Sequence, residues 1–123
     1  WDVNGNSTMK YLKFNVGDAP QSFEVVATEN PAQVSTTFIT YLPQEEMLDG
    51  CSVTNEVYNL SGQLMWSHTT THEAPVSYSS IQWNLTQSTG NPLPGGLYLY
   101  RSKVKWNGGE KETEAKKLII QRY

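Results

Sequence analysis

Apolar and polar residues alternate with a period of two along almost the whole chain, and no stretch keeps a helical period for three turns. That pattern asks for strands that each bury one face. A first, short strand falls at residues 10–16 (KYLKFNV), where Leu12, Phe14 and Val16 share a face, and Gly17-Asp18-Ala19-Pro20 breaks the chain after it. Seven more strand candidates follow, at 23–27, 34–42, 52–60, 63–68, 76–84, 97–106 and 111–121. Thr36, Phe38, Thr40 and Leu42 lie on one face of theirs. Residues 43–50 read as an acidic loop and 69–75 as a polar one. Ser61-Gly62 signals a tight hairpin because Gly62 tolerates positive φ. In 76–84, Tyr78 shares a face with Val76 while Ile81 and Trp83 take the other, so a bulge is expected at Ser79-Ser80. The clearest strand is 97–106: Tyr98, Tyr100, Val104 and Trp106 alternate with Leu97, Leu99, Arg101, Lys103 and Lys105. Asn107-Gly108-Gly109 then turns the chain back into 111–121. About seven antiparallel strands without helices read as an all-β, immunoglobulin-like β-sandwich. Phe38, Trp83, Tyr98, Tyr100 and Leu118 are expected in its core.

With 123 residues the chain is one ordinary domain, or one domain and a fragment of a neighbour. Residues 1–18 are left over once the sandwich is complete. They read as the closing strand and linker of a preceding β-domain, and 19–123 as the sandwich. A core of this size needs no disulfide, and the single Cys51 cannot make an internal one. The net charge of −3 argues against nucleic acid as a partner, and no apolar run is long enough to span a bilayer as a helix.

Charge is unevenly spread. Residues 101–123 hold seven of the nine basic residues (Arg101, Lys103, Lys105, Lys111, Lys116, Lys117, Arg122) against three acids. Lysines on edge strands protect a sheet from unwanted pairing; the same cluster, Arg122 aside, is also the candidate docking set for an acidic partner or surface. Catalytic chemistry finds little support. Cys51 could pair with His68 or His72 as thiolate and imidazolium, but no glycine-rich oxyanion loop follows it. His68 and His72 have a metal-ligand spacing only on a helix, and SHTTTHE is not helical sequence. No catalytic or metal-binding residue and no cofactor is assigned.

The segment WNLTQSTGNPLPGGLYLYR, residues 83–101, carries architecture. Trp83 closes a strand, a polar loop follows, and Leu93 is placed to plug the end of the sandwich. Pro94-Gly95 suits a type II turn, with Gly95 at positive φ, and Gly96 relieves crowding before the aromatic strand.

These residues resemble a family. Tyr58 to Leu64 (YNLSGQL), Trp83-Asn84-Leu85, the run from Gly90 to Arg101 (GNPLPGGLYLYR) and Lys116 to Ile120 (KKLII) follow the order of motifs in FlgD-type immunoglobulin-like modules. Asn30-Pro31-Ala32 with Thr36-Thr37-Phe38 resembles their opening motif. The similarity covers about residues 22–122. Asn84 and Gln87 stand where acids often follow the Trp, and Gln63 replaces a hairpin Arg. Such modules end many proteins exported by Bacteroidetes, and this one is most similar to those ending type IX secretion sortases, whose peptidase is of the gingipain-like cysteine type. The resemblance implies a non-catalytic accessory module on an exported protein, at the outer-membrane surface or in the periplasm. Its implied partners are proteins of the outer-membrane secretion machinery or the parent's own upstream domains. A sorting domain of secreted cargo and a structural spacer of a secreted enzyme are the alternatives.

Overall fold

A computed structural model of the chain describes residues 23–122. The strand at 10–16 and the boundary at 18 lie outside the described residues. Among the described residues there are eight strands: β1 (Val25–Ala27), β2 (Thr36–Tyr41), β3 (Cys51–Tyr58), β4 (Leu64–His72), β5 (Tyr78–Trp83), β6 (Gly96–Trp106), β7 (Gly109–Glu112) and β8 (Lys116–Ile120). They form a three-stranded sheet ordered β1-β2-β5 and a five-stranded sheet ordered β4-β3-β6-β7, in which β8 also pairs with β6. Every strand pair is antiparallel. A single 3-10 turn, Gln44–Glu46, interrupts the loop before β3.

The alternation read in the sequence is the burial pattern of the strands. Thr36, Phe38, Thr40 and Leu42 are all buried, as are Trp83, Tyr98, Tyr100 and Leu118. Phe38 is the hub of the larger core cluster: its ring centroid lies 5.7 Å from Trp83, 5.1 Å from Tyr100 and 6.1 Å from Trp66. A smaller cluster of Leu42, Met47, Cys51, Val53 and Val104 fills the other end of the sandwich. Three buried polar side chains lie between the clusters. Thr40 and Ser102 hydroxyls are 2.7 Å apart, and Asn55 Nδ2 donates to Ser102 Oγ at 2.7 Å. Three strands thus hold one another in register through groups that would cost free energy if left unpaired in the core.

The structure corrects four details. The return arm at 111–121 is two strands, β7 and β8. Thr113 separates them by turning inward, where its Oγ1 accepts the Ser102 amide at 2.9 Å in place of a ladder carbonyl. The polar loop at 69–75 is shorter than expected, because β4 continues to His72, with Thr69 opposite Thr54 and His72 opposite Cys51. Thr is a good strand former, and the Thr54 and Thr69 hydroxyls meet at 2.8 Å. No bulge occurs at Ser79-Ser80, since the β2–β5 register is continuous. Ser79 is simply buried with its Oγ 2.8 Å from His72 Nε2, while Tyr78 points to solvent. The irregularity falls instead between Val57 and Tyr58, opposite Trp66 and Leu64. Gly62 does turn the β3–β4 hairpin at positive φ, with Asn59 Oδ1 accepting the amides of Ser61 and Gln63.

The fourth correction concerns the two glycines before β6. Gly96, not Gly95, has the positive φ, at 153°. A Cβ on Gly95 would lie 3.1 Å from the Ile120 carbonyl oxygen and 3.3 Å from the Arg122 amide. Gly95 therefore lets the end of β8 approach closely, and Gly96 supplies the unusual backbone. Leu93 plugs the end as expected, together with Leu85, both fully buried. Tyr98 donates its hydroxyl to the Pro94 carbonyl at 2.8 Å, and Trp83 Nε1 donates to the Thr86 carbonyl at 2.9 Å. Arg122 clamps the same loop through the carbonyls of Leu93 and Leu85.

Candidate docking surface

β6 is the centre of the five-stranded sheet, and its outward residues decide what that face presents. Ser102 and Val104 are fully buried, so Arg101, Lys103 and Lys105 project to the other side. The register sets Arg101 opposite Glu56 on β3, and Lys103 and Lys105 opposite Glu112 and Glu110 on β7. Arg101 Nε donates to Glu56 Oε1 at 2.9 Å and its Nη1 to Glu112 Oε1 at 3.1 Å. Its guanidinium lies 5.2 Å from the centre of the Tyr58 ring, and Nη2 donates to the Tyr58 hydroxyl at 3.0 Å. The hydrogen bond to Glu56 pushes the Arg101 pKa up, so the charge is fixed. Lys103 Nζ is 3.7 Å from Glu56 Oε2. Glu56, whose side chain is only 9% exposed, thus ties β3 to two cations of β6.

The remaining cations divide in the same way. Lys116 is paired with Glu24 at 2.8 Å, joining β8 to the residue before β1. Lys111 is exposed and sits 5.5 Å over the Phe23 ring. Lys105 and Lys117 are exposed, and among the described residues no ion pair holds either. Lys117 lies opposite Leu99, beside the pair Leu97 and Ile119, both partly exposed. Tyr58 and Leu64 continue that row across the sheet. Arg101, Lys103 and Lys116 therefore serve the fold. Lys105 and Lys117 stand on the outer face of the sheet, whereas Lys111, opposite the buried Val104, lies on its other side over Phe23.

Glu56 as the acid that neutralises the row was not read from the sequence. Alternation within β3 puts it on the outer face with Thr54 and Tyr58, but only the β3–β6 register reveals its partners.

Cys51 and His72 do face each other across β3 and β4, closer than sequence distance suggests. Cys51 is buried, which pushes its thiol pKa up, and His72 is engaged with Ser79. An unactivated thiol of this kind packs; it does not attack. His68 stacks on Trp66. Among the described residues no three His, Cys, Asp or Glu side chains converge as metal ligands would, and no helix is long and apolar enough to cross a membrane.

Two packed antiparallel sheets in this order, closed by the Trp83–Gly96 loop, define an immunoglobulin-like β-sandwich. Sequence comparison finds no matching family model and no matching curated protein. Solved structures are similar. The crystal structure of dimeric latent PorU from Porphyromonas gingivalis matches with 30% identity and a TM-score of 0.71 over 87% of this chain and 10% of PorU. FlgD from Xanthomonas campestris, a protein of hook capping in flagellar assembly, matches at 19% identity and a TM-score of 0.52, over 77% of this chain and 60% of FlgD. A β-glucuronidase of Parabacteroides merdae shares the fold at 15% identity and a TM-score of 0.55, over 81% of this chain and 13% of the enzyme. The chain is a FlgD-like immunoglobulin-like domain of the PorU kind, and it spans about a tenth of PorU's length.

Proposed function

We propose that the chain is the non-catalytic C-terminal accessory and docking module of a type IX secretion sortase. Its parent is then a gingipain-like cysteine peptidase, exported to the outer-membrane surface or periplasm, that processes secreted cargo. The observation that carries this reading is the likeness to PorU at 30% identity over 87% of the chain. The docking region is the flank formed by β6, β7 and β8, where Lys105 and Lys117 project from the outer face and Lys111 from the other side of the edge strand β7. Their partner is an acidic surface on the secretion machinery or on the parent's upstream domains. Arg101, Lys103 and Lys116 support that face from within through Glu56, Glu112 and Glu24. Exposed charges at an interface rim tune encounter more than affinity, and each contributes modestly. The test therefore replaces Lys105, Lys111 and Lys117 by Ser together in the full-length parent. Cargo processing at the cell surface should fall while the melting temperature stays unchanged. Normal processing and localisation would reject the docking role and leave a structural spacer.

A further inference from the structure

Two Asx-Gly pairs meet at one end of the sandwich, and neither enters the docking reading. Asp49-Gly50 closes the acidic loop before β3, and Asn107-Gly108 makes the turn between β6 and β7. Asn107 Nδ2 donates to Asp49 Oδ2 at 2.9 Å. Among the described residues this is the only hydrogen bond between loop 43–50 and that turn. The loop carries Met47, buried in the smaller core cluster, so the bond helps to seat a core residue.

Asx-Gly sequences are chemically labile, because a glycine without Cβ lets its backbone nitrogen reach the preceding side-chain carbonyl carbon. The two pairs differ in whether that nitrogen is engaged. Gly50 is buried, and its amide donates to the Met47 carbonyl at 2.9 Å. Asn107 and Gly108 are both exposed, and among the described residues the Gly108 amide donates to no acceptor. The fold also requires this glycine, since a Cβ at 108 would lie 2.7 Å from Trp106 Nε1. The labile pair is therefore built into the turn.

We propose that Asn107 is a self-modification site, restrained by Asp49, at which the chain deamidates without an enzyme. Water or hydroxide takes the proton of the Gly108 amide, and the nitrogen attacks Asn107 Cγ. The Cγ–Nδ2 bond breaks, Nδ2 leaves as ammonia after taking a proton from water, and a cyclic imide remains. Water then adds to either carbonyl of the ring and opens it to Asp or isoaspartate. Asp49 slows the reaction in two ways. Nδ2 must give up its bond to the carboxylate, and a negative charge beside Cγ opposes the anionic intermediate. Conversion replaces the Nδ2 donor with a carboxylate facing Asp49, on a loop that already carries Glu45 and Glu46. Like charges then stand where a hydrogen bond held loop and turn together.

The test incubates the 123-residue chain at mildly alkaline pH, with peptide mapping to separate Asn107 from Asn4, the other Asn-Gly in the sequence. An acidic form carrying Asp or isoaspartate at 107 should accumulate in the folded chain. Asn107→Gln should abolish it, because the longer side chain closes a ring less readily. Asp49→Ala should speed conversion at 107 by about two- to tenfold, the worth of one such hydrogen bond. Should Asp49→Ala fail to fold, Asp49→Ser replaces it with the same expectation. Asn107→Asp should lower the melting temperature, and the loss should shrink in an Asp49→Ala background. A folded chain that keeps the Asn107 amide while the same chain in urea loses it overturns the proposal. So does an Asp49→Ala chain that converts no faster than the parent, or an Asn107→Asp chain that melts with it.

Discussion

The basic flank and the neutral flank of this sandwich close the same two sheets by different means. On the basic side, ion pairs join the elements: Glu24 with Lys116, and Glu56 with Arg101 and Lys103. On the neutral side, aromatic rings and a short polar contact do so. Trp66 of β4 lies 5.2 Å from Trp83 of β5, and His72 meets Ser79 further along. The difference teaches that a cluster of cations in sequence is not a cluster of free charge in space. Most of the positive charge on β6 is matched by acids brought in from β3 and β7, and only the remainder is available to a partner. It also ranks the flanks: buried rings contribute more to stability than half-exposed ion pairs.

That ranking can be broken by substitution. Trp83→Ala removes a nearly fully buried ring from the Phe38–Trp66 stack and should cost about 3–5 kcal/mol in denaturant unfolding. Glu56→Gln should cost less, about 1.5–3 kcal/mol, because it weakens charge-assisted bonds to Arg101 while Glu112 still holds that guanidinium. If Glu56→Gln proved as damaging as Trp83→Ala, the basic flank would be the stronger one. Lys116→Ala should cost least, about 0.2–1 kcal/mol, since both side chains of its pair are about a third exposed.

Alkaline pH sharpens the comparison from the core. Burial raises the Cys51 thiol above its ordinary 9.0, and the Tyr98 and Tyr100 phenols above 10.0. Each pKa is higher in the folded chain than in the unfolded one. The stability they contribute is thus fully present below the unfolded values and lost as pH rises through the folded values. The melting temperature should therefore begin to fall near pH 9, and Cys51→Ala should delay that onset. An unchanged onset in the variant would show that the thiol does not set it.

Much of this fold is legible in the residues, for identifiable reasons. β6 alternates without a break, so its buried and exposed faces can be read directly. The Trp83–Gly96 loop is legible because Pro and Gly constrain it locally. The choice between Gly95 and Gly96 was not, because one glycine answers to its own φ and the other to the approach of β8 from far along the chain. Past His68 the sequence reads as a loop because Thr69 to Thr71 lack apolar alternation, and their strand state comes from pairing with β3. The docking surface was half legible. The cations are visible in sequence, but Glu56 and Glu112 reach them only through sheet register.

The central claim is that the surplus cations of the basic flank face a partner while the fold needs only the others. β7 carries two of its acids and Lys111 on four exposed residues, so its amides should exchange rapidly when that flank is free. Hydrogen–deuterium exchange of the full-length parent, compared between purified protein and outer membranes, reads this directly. The account predicts slowed exchange across Gly109–Glu112 in the membrane sample, and loss of that slowing when Lys105, Lys111 and Lys117 are all Ser. Equal exchange of β7 in the two samples would contradict it.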